Sequence, residues 1–494
     1  MRRIGLRYEY VVAIVFVTGL FMEILDTTIV NVALPTLARE FGVGTADVEW
    51  VVISYLLSLA VWIPASGWIG DRFGTKRTFL FAIAVFTVAS ALCGQASGLW
   101  ELVGFRVLQG VGGGMMTPVG TAMLFRAFAP ERRAKASTVL IIPTVMAPAL
   151  GPVLGGLLVT QFSWRWVFYV NVPLGIAAFV FGLVALREHR EPSAGPFDAA
   201  GFVLSAVGLA ALLYALSEGP IDGWRSPQIV IAGVVGVLAF ALLARIELRK
   251  PFPMLALRLL KDRMFRNANL SSALSYSSFA AVLFLMPLFL QELRGLTALE
   301  SGLTTFPQAI GVLISSQVAG RLYPFVGPRR LMVFGLVGAA CTALTFTQVD
   351  LGTDLWVIRG LMFTRGIFMA FAFIPLQAAT YSTITPADTG RATAIFSTQR
   401  QVAAAFGVAT AATILTTATS RRLADVLPGS SAAVDAQVSA YHEVFLAASL
   451  LAFGAAAIAL LVRDEDAAAT MRARSRRPAG PLSEPTTDPT SMVT

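Results

Sequence analysis

Glu23 and Asp26 stand three residues apart in the stretch FMEILDTTIVNVALP (21–35), which is otherwise mostly apolar. On a helix that spacing puts both carboxyls on one face, one turn apart. An ionised carboxylate in hydrocarbon is costly, and two of them repel each other. Arg106 opens a second stretch of the same kind, RVLQGVGGGMMTPVG (106–120). Acids at membrane depth can take up and release protons or attract a cation, and a guanidinium can hold one of them ionised. Glu101 and Glu292 fall at the ends of apolar runs, and His189 and His442 fall outside them. Glu23 and Asp26 are therefore the carboxylates available at depth, and any protons this chain moves must pass through them.

The elements that position these groups follow from composition. The chain has 494 residues, 56% hydrophobic and only 14% charged, too little charge to clothe a soluble surface of that size. Apolar runs long enough to span a bilayer number fourteen, from 10–34 to 441–462, and the short connections leave no room for a soluble domain. The first run is too long for a signal peptide and has no small-residue cleavage site, so it reads as a retained helix. The segment 464–494, rich in Pro, Ser, Thr and Arg, reads as a disordered tail. Cys93 and Cys341 are isolated within apolar runs and suggest neither a disulfide nor a metal site. The expected class is an all-α polytopic membrane protein.

The net charge of +9 reports orientation rather than a nucleic-acid partner. With the N-terminus inside and an even number of spans, the N-terminal tail, inner loops and C-terminal tail hold 28 of the 38 Lys and Arg. That asymmetry is the positive-inside rule and puts both termini in the cytoplasm.

A faint duplication divides the chain. GWIGDRFGTKR (67–77) aligns with GRLYPFVGPRR (320–330) at an offset of 253, matching Gly67 with Gly320, Gly74 with Gly327 and Arg77 with Arg330. LWELVGFRVLQG (99–110) likewise resembles LWVIRGLMFTRG (355–366). Parallel six-helix halves, with substrate held at the midplane between them, are an established transporter plan. The expected division is a six-helix bundle over 1–190, inserted helices 7 and 8 over 191–262, a second bundle over 263–463, and the tail.

In the first copy, Gly67 and Gly74 allow a tight turn while Asp71, Arg72, Lys76 and Arg77 concentrate charge at one face, as a latch that breaks and re-forms. The series resembles the loop between helices 2 and 3 of the major facilitator superfamily, G-x-L-x-D-R-x-G-R-R/K, with Ile69 for the usual Leu and Thr75 a small departure. The second copy has Pro324 where the first has Asp71, which leaves the latch to the first half. Arg106, Gln109, Gly110 and Gly112 resemble that superfamily's helix-4 motif, R-x-x-Q-G-x-G, and the resemblance implies a role for Arg106 in proton coupling. PALGPVLGGLL (148–158) reads as a kinked, close-packed helix through Pro148, Gly151, Pro152 and Gly155. With Gly156 it is also similar to the G-P-x-x-G-G motif of the superfamily's exporters. LDTTIVNVALP (25–35) resembles the helix-1 motif of its fourteen-helix drug:proton antiporters, the QacA/EmrB type, L-D-x-T-I-V-N-V-A-L-P.

Depth ties Arg106 to the opening stretch. Arg106 lies about 12 Å inside the start of its helix, and Asp26 roughly 13–14 Å inside the end of the first, at ~1.5 Å per residue. If helices 1 and 4 adjoin, as the resemblance implies, Arg106 stabilises one acid while the other titrates. Asp26, inside the family pattern, is the expected proton carrier, and Glu23 would share the proton or tune charge preference. Further candidates for the substrate cavity are Gln109, Tyr276 in the hydroxyl-rich ninth span, and Gln308 in the tenth. Arg365 and Arg400 are expected to snorkel or to pair with carbonyls.

The expectation from sequence is thus a monomeric, proton-driven antiporter of the bacterial cytoplasmic membrane, exporting lipophilic, cationic small molecules by alternating access. It needs no cofactor or metal, performs no enzymatic reaction, and has protons, substrate and lipid as its partners. A dedicated exporter of one metabolite, lipid or self-made antibiotic is the alternative; an uptake symporter and a non-transporting sensor stand further off.

Overall fold

Inside a bilayer every backbone amide needs an internal partner, so long apolar runs fold as helices. The computed structural model describes residues 7–192, 195–424 and 430–471, apart from the side chains of residues 45, 46, 141, 142, 145, 149, 152 and 298. No β-strand occurs among the described residues. The long helices, in chain order, are α1 (Tyr8–Phe41), α2 (Thr45–Phe73), α3 (Thr75–Cys93), α4 (Leu99–Ala127), α5 (Arg133–Gln161), α6 (Asn171–Ala185), α7 (Ala199–Asp222), α8 (Pro227–Glu247), α9 (Arg263–Leu288), α10 (Pro307–Val326), α11 (Pro328–Thr345), α12 (Leu355–Thr380), α13 (Thr389–Leu423) and α14 (Ser431–Ala459). Short helices, Trp166–Tyr169 and Ala298–Thr305, precede α6 and α10.

Twelve helical spans among the described residues are long and apolar enough to cross a membrane, and the protein is a multi-pass membrane protein. The expected fourteen are not reached on that measure, because α4 falls outside it and α5 contributes only its shorter apolar stretch, Met146–Gln161. For α4 the physical reason is its own motif: Arg106, Gln109 and a run of glycines dilute the hydropathy of a helix 29 residues long.

Packing repeats between the first six and last six helices. In the first, α2 and α3 pack on α4, α1 on α5 and α3 on α6; in the last, α10 and α11 pack on α12, α9 on α13 and α11 on α14. The turn glycines repeat too. Gly74 (φ 105°) and Gly327 (φ 89°) have backbone angles that residues with a Cβ rarely adopt, and each joins two antiparallel helices directly. In both turns a carboxylate caps the next helix, but from different sources. Glu188, just beyond α6, accepts from the Lys76 amide at 3.0 Å, and Asp464, just beyond α14, accepts from the Arg329 amide at 2.9 Å. Both turns lie on one face of the protein, rich in Arg and Lys.

Asp464 corrects an expectation. The disordered tail does not begin at residue 464, since Asp464–Thr470 forms a 3₁₀ helix against this basic face. Asp466 pairs with Arg263 at 2.7 Å, and Thr470 meets the Tyr323 hydroxyl at 2.9 Å. The acids of this short segment are complementary to Arg263 and to free amides, whereas the remainder of the tail dominates its overall composition. That remainder, 472–494, lies outside the described residues.

Helices α7 and α8 pack on each other, and α7 rests on α2 and α13, one helix from each bundle. Their basic-face end is tied down by charge. Asp198 accepts from the Gly201 amide at 2.8 Å and from Lys250, while Glu247 accepts from the Met254 and Leu255 amides at 3.0 and 2.9 Å. Burial works to raise the pKa of Asp198, but Lys250 and the Gly201 amide outweigh it and hold the carboxyl below its ordinary range. A depressed pKa stabilises the fold above the unfolded-state value, and that contribution is lost as pH falls through the folded value.

Helix contact in the first bundle depends on missing side chains. A Cβ at Gly112 would stand 2.6 Å from the Ala82 carbonyl and 2.7 Å from the Phe86 amide, so α4 touches α3 backbone to backbone. Gly156 has nothing within 4 Å of the same position. Gly112→Val should therefore destabilise the protein by about 2 kcal/mol, while Gly156→Val should stay within about 0.5 kcal/mol of wild type. Thermal unfolding of the purified protein in detergent checks the contrast; equal melting temperatures for the two variants would contradict this packing.

Candidate functional site

Asp26 on α1 and Arg106 on α4 are both fully buried and meet at 2.5 Å through Oδ2 and Nη1. The expected neighbourhood of the two helices therefore exists, and matched depth becomes direct contact. A buried ion pair persists when its remaining polar groups are satisfied. Around this one they largely are. Gln109 donates to Asp26 Oδ1 at 2.9 Å, and Asn171 donates to the same oxygen at 3.0 Å. Arg106 Nη1 also donates to Gln109 Oε1 at 2.8 Å, and its Nε donates to the Val51 carbonyl at 2.9 Å. The guanidinium lies 4.1 Å over the Tyr55 ring, a further cation–π attraction in a site without water-like screening. Ser90 accepts from both amides, at 3.3 Å from Gln109 and 3.2 Å from Asn171.

Five helices thus supply one network: α1, α2, α3, α4 and α6. Its consequence is structural, because three donors, one of them cationic, converge on the Asp26 carboxylate and fix it against α4 and α6. Gln109, expected in the substrate cavity, belongs instead to this network. Asn171, Ser90 and Tyr55 were not identified in the sequence. Asn171 left a faint signal, an amide within the apolar run VFYVNVPLG (167–175), but nothing local to it indicates a partner 145 positions away.

Glu23 has different surroundings. It is 8% exposed, and Thr117 donates to its Oε2 at 2.6 Å. No ion pair to Glu23 forms among the described residues. Arg400 of α13 acts on it electrostatically from the opposite bundle and lies 5.9 Å over the ring of Tyr276. Tyr276 is buried and packs against Phe373 at 4.7 Å between centroids. Glu23, Thr117, Tyr276 and Arg400 therefore bring a carboxylate of the first bundle within the field of a guanidinium of the second. Gln308 is engaged elsewhere. Its Oε1 accepts from Arg365 at 2.7 Å, so the amide oxygen is the carbonyl that Arg365 pairs with.

The latch residues separate into two groups. Asp71 is buried and accepts from Arg126 Nη2 at 2.9 Å. Arg126 also donates to the Pro386 carbonyl at 3.3 Å, which joins the first bundle to the segment before α13. A Cβ on Gly390 would stand 2.7 Å from Asp71, so the carboxylate abuts the positive N-terminus of α13. Gly67 allows this approach, since a Cβ there would lie 2.6 Å from the Gly390 carbonyl. Lys76 donates to the Leu183 carbonyl at 2.7 Å, Arg77 stands 3.7 Å from Glu188, and both serve the first bundle alone. Arg72 is exposed and has no partner among the described residues.

On α5, Gly151 packs against Thr28 and Gly155 against Ile29 and Val32, both on α1. The glycine pattern thus seats α5 on the helix that carries Glu23 and Asp26. Pro148 is half-buried on this helix; the side chain of Pro152 lies outside the described residues. No cluster of His, Cys, Asp and Glu suited to a metal ion occurs among the described residues.

Comparison with known proteins gives a consistent picture. Residues 16–408 match the family model of the Major Facilitator Superfamily. The chain is 33% identical over 403 residues to the multidrug export protein EmrB of Escherichia coli (strain K12), covering 80% of this chain and 78% of that protein. It is 33% identical over 400 residues to the multidrug resistance protein B homolog of Mycobacterium tuberculosis (strain ATCC 25618 / H37Rv), covering 80% of this chain and 74% of that one. An uncharacterized MFS-type transporter of Bacillus subtilis (strain 168), YhcA, is 33% identical over 420 residues, 85% of this chain and 79% of its own. Among solved structures, the human organic anion transporter MFSD10 (TETRAN) superposes with a TM-score of 0.61, covering 90% of this chain and 99% of that one. At 16% identity it speaks to the fold alone.

The buried network predicts strong coupling between its two charges. Asp26→Asn leaves a guanidinium unpaired in the membrane interior and should cost about 3 kcal/mol, as should Arg106→Gln. The double variant should cost at least about 1 kcal/mol less than the sum, because neither charge is then stranded. Unfolding in mixed micelles measures all three; simple additivity would mean that the pair does not act as a unit.

Proposed function

The chain belongs to the Major Facilitator Superfamily, and on that premise we propose that it is a proton-coupled exporter of lipophilic, cationic small molecules. Membership makes it a secondary transporter acting on small molecules rather than an enzyme. Export of drugs is supported by its 33% identity to proteins named for multidrug export and resistance.

The observation that carries the mechanism is the unequal treatment of the two acids on α1. Asp26 accepts from three donors, including Arg106, and is committed to that network. Glu23 has one hydroxyl partner and a distant cation, so a proton can come and go there at much lower cost. This weights the exchange toward Glu23 and leaves Asp26 to fix Arg106 and the α1–α4 junction. A cationic substrate entering between the bundles competes with the proton for Glu23, while Arg400 offsets the negative charge of the empty, ionised state. The halves then rock about the site, and reprotonation from the far side resets them. Each proton falling through 100 mV supplies about 2.3 kcal/mol.

In this reading α4 and α5 also cross the bilayer, for fourteen spans, with the basic face toward the cytoplasm as the positive-inside rule requires. The membrane is the bacterial cytoplasmic membrane. Asp71, Arg126 and the N-terminus of α13 close that face in one state and part in the other.

Substrate-driven proton release tests the proposal. Proteoliposomes containing a pH indicator are exposed to ethidium as the lipophilic cation. Glu23→Gln should reduce proton release at least about tenfold, and Asp26→Asn should reduce it through loss of the Arg106 anchor. Unchanged proton-coupled transport in both single variants and in the double would sink the mechanism, and ethidium movement without proton movement in the wild type would remove the coupling itself.

A further inference from the structure

The inserted pair does not merely cover the bundles. Between α7 and α8 on one side and α9 and α13 on the other lies a cavity of about 710 Å3, within the range of small-molecule sites. Leu212, Phe240, Leu274 and Val402 are representative of its walls. Among the described residues no charged one lines it, and three of its lining residues are polar: Ser277, Thr398 and Gln399. Ser277 is satisfied within the protein, donating to the Ala403 carbonyl at 2.7 Å. The other two are not. Among the described residues the Thr398 hydroxyl, on a side chain only 7% exposed, has no hydrogen-bond partner, and neither the amide nitrogen nor the amide oxygen of Gln399 has one.

Depth makes this unusual. Gln399 lies ten residues into α13, about 15 Å from the basic face at ~1.5 Å per residue, well inside the hydrocarbon region. There an unpaired amide and an unpaired hydroxyl are both costly. The tail of an ordinary phospholipid would fill the apolar walls but brings only methylenes to this depth, because its esters remain at the interface. A cation or anion would find no countercharge in the lining. What satisfies both the walls and the two free groups is an uncharged molecule with a long apolar body and a hydroxyl, carbonyl or amide.

We propose that this cavity is a second ligand site, specific for neutral amphiphiles that hydrogen-bond to Thr398 and Gln399. It is separate from the Glu23 site. Arg400, next in sequence to Gln399, points its charge to Tyr276 and Glu23 on the other side of α13. The ninth helix makes the same division, with Ser277 on the cavity and Tyr276 toward the centre. The insert thus forms one wall of a lateral site opening toward lipid, selective for uncharged ligands where the central site selects cations.

The test is photolabelling in proteoliposomes without a proton gradient. Three diazirine probes are compared: a hexadecanol, a phosphatidylcholine labelled in its acyl chain, and an alkyltrimethylammonium. The alcohol should label peptides of α7, α8 and α13 saturably and be displaced by unlabelled hexadecanol. Thr398→Val and Gln399→Leu together should raise its half-saturating concentration about tenfold, and Leu212→Trp, which fills the cavity, should abolish the label. Equal saturable labelling by phosphatidylcholine would show a lipid-tail groove, and displacement by the ammonium probe would show no preference for neutral ligands; either result overturns the proposal. If the variants do not fold, the wild-type contrast among the three probes decides alone. The label should survive Glu23→Gln, so failure here and failure of proton-coupled export are distinguishable.

Discussion

A guanidinium inside a bilayer demands a partner, and much of the first bundle is arranged to give Arg106 one. The pair with Asp26 joins α1 to α4, and the donors that complete it bring in α2, α3 and α6. Low dielectric strengthens each of these bonds and equally raises the cost of losing any one. The glycines of α4 and α5 belong to the same constraint. They let α4 approach α3, and α5 approach α1, closely enough for the polar groups to meet across the helices.

Because Asp26 is committed to this structure, Glu23 is left comparatively free one turn away. The two acids looked equivalent as residues in an apolar run, yet their surroundings assign them opposite characters: one saturated with donors, the other held by a single threonine. Among its described residues the second bundle places no acid to match them. It contributes Arg400, aromatic rings and the Arg365–Gln308 pair. Charge of one sign on one half thus faces charge of the other sign on its partner.

The two halves also solve a common problem by different means. Both turns on the basic face need a glycine with positive φ and a carboxylate at the start of the next helix. Glu188 meets that need in the first half, and Asp464, from beyond the last helix, meets it in the second. Only the first half adds Asp71, which engages Arg126 and the start of α13 and so holds the two bundles together. The inserted helices rest across that same junction, on α2 and α13.

The sequence by itself determined that this chain is helical and membrane-spanning, how its repeat runs, and which charges lie at depth. These are properties of hydropathy, spacing and charge, which are local and survive without knowledge of neighbours. It also paired Asp26 with Arg106 by depth, through a family resemblance that placed helices 1 and 4 together. Only the tertiary structure decided that Asn171 and Ser90 complete the pair, that Gln109 serves the network and not an open cavity, and that Glu23 and Asp26 differ. Those outcomes depend on contacts between residues as far as 145 positions apart, and a side chain's partners, not its type, set the cost of its charge. The same reason explains why Thr398 and Gln399 were silent in the sequence: a polar residue on a helix is ordinary until the surrounding helices leave it without a bond.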